Sequence, residues 1–275
     1  MAPCRCAAPS DATLGDIARR RPCSRVRFDD LKGSDAMLQP GSAEQMAVAA
    51  CAALLGAFAG GYAWRTALRY GAGLRAGADP DARLMLKAAG GGALRMGDVA
   101  GVAGIRGLPA AGGLAAAYGW LCLQPLTITQ SAALMLFLFI LLSLACIDAC
   151  CGLLPDALTL PLLLAGLAVA GAEAGLVDLP ESVFSAVLAY GLLLGLAWVF
   201  RSLRGRDGLG GGDVKCIAAI AAWSGFQGLF VILLTSSLLG VAYALAAGRG
   251  GLSRSYPFGP CLALAVMAWL VVRLA

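Results

Sequence analysis

The sequence predicts an all-α, polytopic integral membrane bundle of about eight transmembrane helices, and three observations carry that prediction. Sixty per cent of the 275 residues are hydrophobic and 13% are charged, where a soluble domain carries roughly a quarter charged residues; mean hydropathy is +0.80. The apolar residues fall into runs close to the ~20 that a helix needs to cross hydrocarbon. The basic residues gather between those runs.

Taken in order, residues 1–44 contain no apolar run. They mix Arg5, Arg19, Arg20, Arg21, Arg25, Arg27 and Lys32 with Asp11, Asp16, Asp29, Asp30, Asp35 and Glu44. That composition reads as a disordered tail, or as residues ahead of a mis-called start, and not as an ordinary secretory signal. The first span is expected at 46–64. Segment 65–107 is Gly/Ala-rich and carries Arg65, Arg69, Arg75, Arg83, Lys87, Arg95 and Arg106. A second, weaker span covers 108–126, interrupted by Gly112, Gly113 and Gly119. The third, 131–147, is strongly apolar. The fourth, 157–176, follows the turn Leu154-Pro155-Asp156, and the fifth covers 183–200. The apolar stretch 213–247 is too long for one span. Trp223-Ser224-Gly225-Phe226-Gln227-Gly228 divides it into a short helix, 213–224, and a full one, 228–247. The last span is 258–274. The chain thus divides into a tail (1–44), two N-terminal spans with their basic segment (45–126) and a six-helix core (127–275).

Orientation follows from the basic residues, which mark the cytoplasmic loops. Arg201, Arg204, Arg206 and Lys215 put the loop between spans five and six inside. Counting back two crossings puts 148–156 on the same side, and two more put 65–107 there. Arg249 and Arg254 favour a hairpin over a single long helix at 213–247. The same count leaves the basic N-terminal tail outside, against its own charge. No basic stripe interleaved with aromatics is present, so the net charge of +5 points to the membrane and not to nucleic acid.

The chain has no histidine. That excludes Ser-His and Cys-His nucleophile pairs, His-ligated zinc and H-E-x-x-H chemistry. Ten cysteines are present, with no C-x-x-C pair among them, so no zinc knuckle is expected. Cys150 and Cys151 are the pair closest to a candidate acid, but the stretch around them lacks the basic neighbours that form a thiolate. Carboxylates remain. Asp148 and Asp213 each stand where an apolar run meets a polar turn, and an ionisable group beside a membrane span is costly unless functional. Two carboxylates brought together share a proton: the charged one can draw a proton from water while the neutral one donates to a peptide carbonyl. Gly208, Gly210 and Gly212 leave the backbone before Asp213 bare, so that a substrate strand can lie close to it; an interhelical loop that happens to end in Asp is the alternative. Pro155 and Pro161 bracket a turn in which Asp156 is expected to cap the fourth helix, or else to act directly. Lys215 reads as a membrane anchor, or as a contact for a phospholipid headgroup or an acidic substrate group.

Three segments together resemble the type IV prepilin peptidases. Ile147-Asp148 with Leu154-Pro155-Asp156-Ala157-Leu158-Thr159-Leu160-Pro161-Leu162 is similar to the first signature of that family. Gly208-Leu209-Gly210-Gly211-Gly212-Asp213-Val214-Lys215 matches its G-x-G-x-G-D-x-K element. Tyr256-Pro257-Phe258-Gly259-Pro260-Cys261-Leu262-Ala263-Leu264 resembles its C-terminal P-F-G-P segment. The resemblance covers about 115–275. It implies an intramembrane aspartyl endopeptidase, related in mechanism to the presenilins through G-x-G-D. Its catalytic pair would be Asp148 and Asp213, with Gly208, Gly210, Gly212, Lys215, Pro155, Asp156, Pro257, Phe258, Gly259 and Pro260 supporting or binding substrate. It implies no metal and no organic cofactor. It implies prepilin or pseudopilin substrates and membrane lipid as partners, and by extension pilus or type II secretion machinery. The expected location is the bacterial inner membrane, with the site facing the cytoplasm.

Departures are visible too. Many relatives carry two C-x-x-C pairs in the place of 65–107, linked to methylation of the new pilin N-terminus; this segment has no cysteine, which puts methylation in doubt. Gly56-Ala57-Phe58-Ala59-Gly60 and Arg65 echo the family's G-S-F-L-N…R element with the Asn lost. Two other classes stay open. One is a proton- or cation-coupled transporter, which would place both acids near midplane. The other is a catalytically silent component of a pilus or secretion system.

Overall fold

The computed structural model describes residues 43–90, 107–205, 210–246 and 257–274. Among the described residues the regular structure is helical throughout: α1 (Ala43–Arg75), α2 (Ala82–Gly90), α3 (Leu108–Cys122), α4 (Ile128–Cys151), α5 (Asp156–Gly171), α6 (Leu179–Arg204), α7 (Gly211–Ala246) and α8 (Gly259–Leu274). Four of these, α1, α4, α6 and α7, are long and apolar enough to cross a membrane. The protein is a polytopic helical membrane protein. Leu192, Leu196, Trp198 and Leu245 stand exposed on its flanks, as side chains facing lipid do.

The described residues hold eight helices, but these differ from the eight expected spans in detail. α1 does not stop at 64 but runs on to Arg75, and α2 adds a helix inside the segment expected to be a Gly/Ala-rich connection. Alanine is the strongest helix former, and the stretch is rich in it. α3 is continuous through Gly112, Gly113 and Gly119. α5 and α8, 16 residues each, fall short of the ~20 that span hydrocarbon unaided. The tail 1–42, Arg95, Arg106, Arg206, Arg249 and Arg254 lie outside the described residues.

α4 is the central helix: 61% of its most apolar stretch is buried inside the protein, against 22% for α6. A capping box starts it, with Thr127 Oγ1 accepting from the Gln130 N–H at 3.2 Å and Gln130 Oε1 accepting from the Thr127 N–H at 3.2 Å. It ends at Gly152, whose φ of 67° is the left-handed conformation glycine adopts freely. Asp148 therefore occupies the last turn of α4.

Lipid offers no hydrophobic force to pull helices together, so close approach through small residues does the work. α1 and α3 pack antiparallel in this way: a Cβ on Gly56 would fall on the Leu114 carbonyl, and one on Gly60 on the Ala110 carbonyl. The Gly56-x-x-x-Gly60 spacing is thus a packing face.

α7 breaks at Gly225 (φ 71°, ψ −178°), inside the expected 223–228 interruption. Its first arm runs through the core, with Ala218, Ala219, Ala221 and Ala222 all buried. Leu229, Ile232 and Ser236 are buried as well, so the second arm lies against the bundle and does not project from it. A broken helix in a membrane must satisfy its freed backbone groups inside the protein. The first turn of α6 does this: Ser182 Oγ donates to the Ala222 carbonyl at 2.6 Å, and Glu181 Oε1 accepts from the Phe226 N–H at 3.3 Å. Nearby, Trp223 Nε1 donates to the Leu162 carbonyl at 2.9 Å and its ring stacks on Phe137, 4.8 Å between centroids.

Candidate active site

The last turn of α4, the first turn of α7 and the first turn of α8 meet at one end of the bundle. Asp148 is 6% exposed. Its Oδ2 accepts the Gly259 N–H at 2.7 Å. Gly259 opens α8, where the first N–H groups have no partner within the helix and the dipole is positive. Asp148 thus caps α8 from 111 residues away. A Cβ on Gly259 would stand 3.0 Å from both Cβ and Oδ2 of Asp148, so this contact needs glycine. Pro260 follows in the same first turn, where a missing N–H costs nothing. Pro257 and Phe258 lead into the helix, half-buried.

Asp213 sits in the first turn of α7, half-buried. Its own N–H donates to the Gly210 carbonyl at 3.1 Å. A Cβ on Gly210 would stand 3.0 Å from Asp213 Oδ2. Gly212 faces the turn after α4, where an added Cβ would meet the Leu154 Cβ at 3.0 Å. Gly212 and Leu154 are therefore packed on one another, which brings the start of α7 to the turn after α4. The Asp148 carboxylate acts electrostatically on Asp213, and both act on the buried thiol of Cys216. Gly208 lies outside the described residues.

Asp156 corrects an expectation. The residue capping α5 is Pro155, with no side-chain hydrogen bond. Asp156 instead takes the ammonium of Lys215, Oδ2 to Nζ 2.6 Å, with side chains 53% and 40% exposed. Lys215 thereby ties α7 to α5 beside the aspartates. The surroundings of Cys150 and Cys151 also differ from the sequence reading: the Arg75 guanidinium at the end of α1 acts on both thiols. Cys216 and Cys261, not singled out in the sequence, both feel the Asp148 charge. Their positions, three residues after Asp213 and two after Gly259, were the available signal. Among the described residues no three metal-ligating side chains are grouped to hold an ion.

The geometry can be set beside known proteins. Residues 135–245 match the Type IV leader peptidase family, a stretch that includes Asp148, Asp213, Asp156 and Lys215. The chain is 43% identical over 147 residues to the "Prepilin leader peptidase/N-methyltransferase" of Escherichia coli (strain K12), covering 53% of this chain and 65% of the relative. It is 40% identical over 143 residues to the protein of that name from Aeromonas salmonicida (strain A449), 51% of this chain and 48% of the relative. For the Neisseria gonorrhoeae protein of that name the figures are 41% over 131 residues, 48% and 44%. The chain spans about half to two thirds of the length of these relatives. No solved structure matches. Over the stretch that holds Asp148 and Asp213, the chain is thus similar to the type IV leader peptidase family.

Proposed function

We propose that this protein removes the short basic leader of type IV prepilins or pseudopilins, with Asp148 and Asp213 as the catalytic pair. The convergence of those two carboxylates at one end of the bundle supports the reading most directly. Asp148 accepts the N–H that opens α8 and Asp213 lies in the first turn of α7; both positions favour negative charge. Their proximity opposes two charges, so the pair holds one proton between them. The charged member takes a proton from water; the protonated member donates to the scissile carbonyl as the hydrated intermediate forms. The bare backbone at Gly210 and Gly211 leaves room for an extended substrate strand beside Asp213. The site faces the cytoplasm of a bacterial inner membrane, on the side marked by Arg201 and Arg204 at the end of α6, where the basic leader would stay in water. The relatives' name also carries N-methyltransferase; we leave that activity out of the proposal, since segment 65–107 has no cysteine.

The test is co-expression of candidate prepilins with the wild type and with Asp148→Ala and Asp213→Ala. Loss of a catalytic acid or base costs about 10²–10⁴ in rate, so each variant should leave the leader attached, seen as the longer band in an immunoblot. Leader removal by both variants would exclude the dyad.

A further inference from the structure

Two cavities lie side by side on the α6 flank of the bundle. The first, about 500 Å³, is walled by Leu163 and Leu167 of α5, Val183 and Val187 of α6, and Ala218 of α7. The second, about 460 Å³, is bounded by Leu194 and Trp198 of α6, by Gly210, and by Gly211 and Val214 of α7. Tyr190 and Lys215 line both. The two therefore form one groove along α6, with those side chains at its waist. One end is apolar; the other reaches the glycine run that precedes Asp213.

The apolar end carries a polar atom with nothing to bond. Thr159 is 1% exposed and lines the first cavity, and its Oγ1 has no hydrogen-bond partner. A buried hydroxyl left alone costs ~1–3 kcal/mol, and a helical threonine ordinarily bonds the carbonyl one turn back. At the waist, the ammonium of Lys215, paired with Asp156 on one side, has further donors for the groove. A lipid acyl chain has no group to answer either one. A peptide helix has polar side chains that do.

We propose that this groove receives the apolar helical segment of the substrate, and that Thr159, Tyr190 and Lys215 set its position so that the chain before it passes Asp213. This rests on the peptidase reading above and adds to it where the substrate lies in the membrane.

Gly191 lines the first cavity, and nothing stands within 4 Å of the place its Cβ would take. Gly191→Trp therefore fills the groove without crowding the fold. Gly240 has the same open surroundings on the second arm of α7, and Gly240→Trp serves as the control. With a co-expressed prepilin, Gly191→Trp should slow leader removal by about tenfold or more through a raised KM, while Gly240→Trp stays within about twofold of wild type. A second arm needs no cleavage: p-benzoylphenylalanine at Val187, in an Asp148→Ala background, should cross-link uncleaved prepilin on illumination. The same label at Val272, which is exposed on α8, should not. Thr159→Val, matched in shape, should weaken that capture severalfold. Wild-type cleavage by Gly191→Trp, or capture of lipid alone at Val187, would overturn the groove. If the wild type cleaves no prepilin, the peptidase reading fails instead, and prepilin capture at Val187 still reports on the groove.

Discussion

Gly259 does more than bend the chain before α8. It brings a bare N–H to 2.7 Å from Asp148 Oδ2 at a spacing where a Cβ has no room. Gly259→Ala should push the start of α8 away from the carboxylate and lower leader removal by about tenfold or more, with little change in thermal midpoint if the displacement stays local. Asp156 should behave differently. Its pair with Lys215 is half exposed, and such pairs contribute about 0–1 kcal/mol. Asp156→Ala should therefore retain leader removal within roughly tenfold of wild type, in contrast to Asp148→Ala. Initial rates on one prepilin, with all three variants side by side, check both expectations.

Two contacts between elements are set by the absence of a side chain. On the face shared by α1 and α3, an added side chain at Gly60 meets a main-chain carbonyl, and backbone cannot swing aside as a rotamer does. Gly60→Leu should destabilise the protein by ~3 kcal/mol or more, read as a lower midpoint of thermal denaturation in detergent. The break in α7 joins conformational and steric demands. Gly225 has a positive φ, and its Cβ would fall on the Glu181 carboxylate. Gly225→Ala should cost about 1–3 kcal/mol from strain alone and release the Phe226 N–H from its acceptor. Glu181→Ala leaves the same N–H without an acceptor but adds no strain, so it should lower the midpoint less.

At the scale of the molecule, Cys150 reports orientation. It is exposed and two residues from Asp148. In a variant retaining only Cys150, a membrane-impermeant maleimide should label inverted inner-membrane vesicles and spare intact spheroplasts. The reverse pattern would put the aspartates outside and sink the cytoplasmic assignment. Much of this architecture was legible because lipid imposes one rule on length and another on charge. The long apolar helices and the break in 213–247 follow from apolar runs and their ends, and the same ends drew attention to the two aspartates. What escaped was tertiary. Asp156 resembled a helix cap because caps are local; its true partner, Lys215, lies 59 residues on. The extension of α1 escaped because seven basic residues argue for a loop, while the alanines between them argue for a helix and prevail. The role of Gly259 escaped because no local pattern says which acid, 111 residues earlier, a helix start will meet. That last contact has a consequence in time. A ribosome delivers Asp148, then Asp213, and only later the first turn of α8. Until α8 is in place, the Asp148 carboxylate lacks its Gly259 N–H partner, so under the proposed peptidase reading a half-made chain already holding both acids should not yet be able to cut.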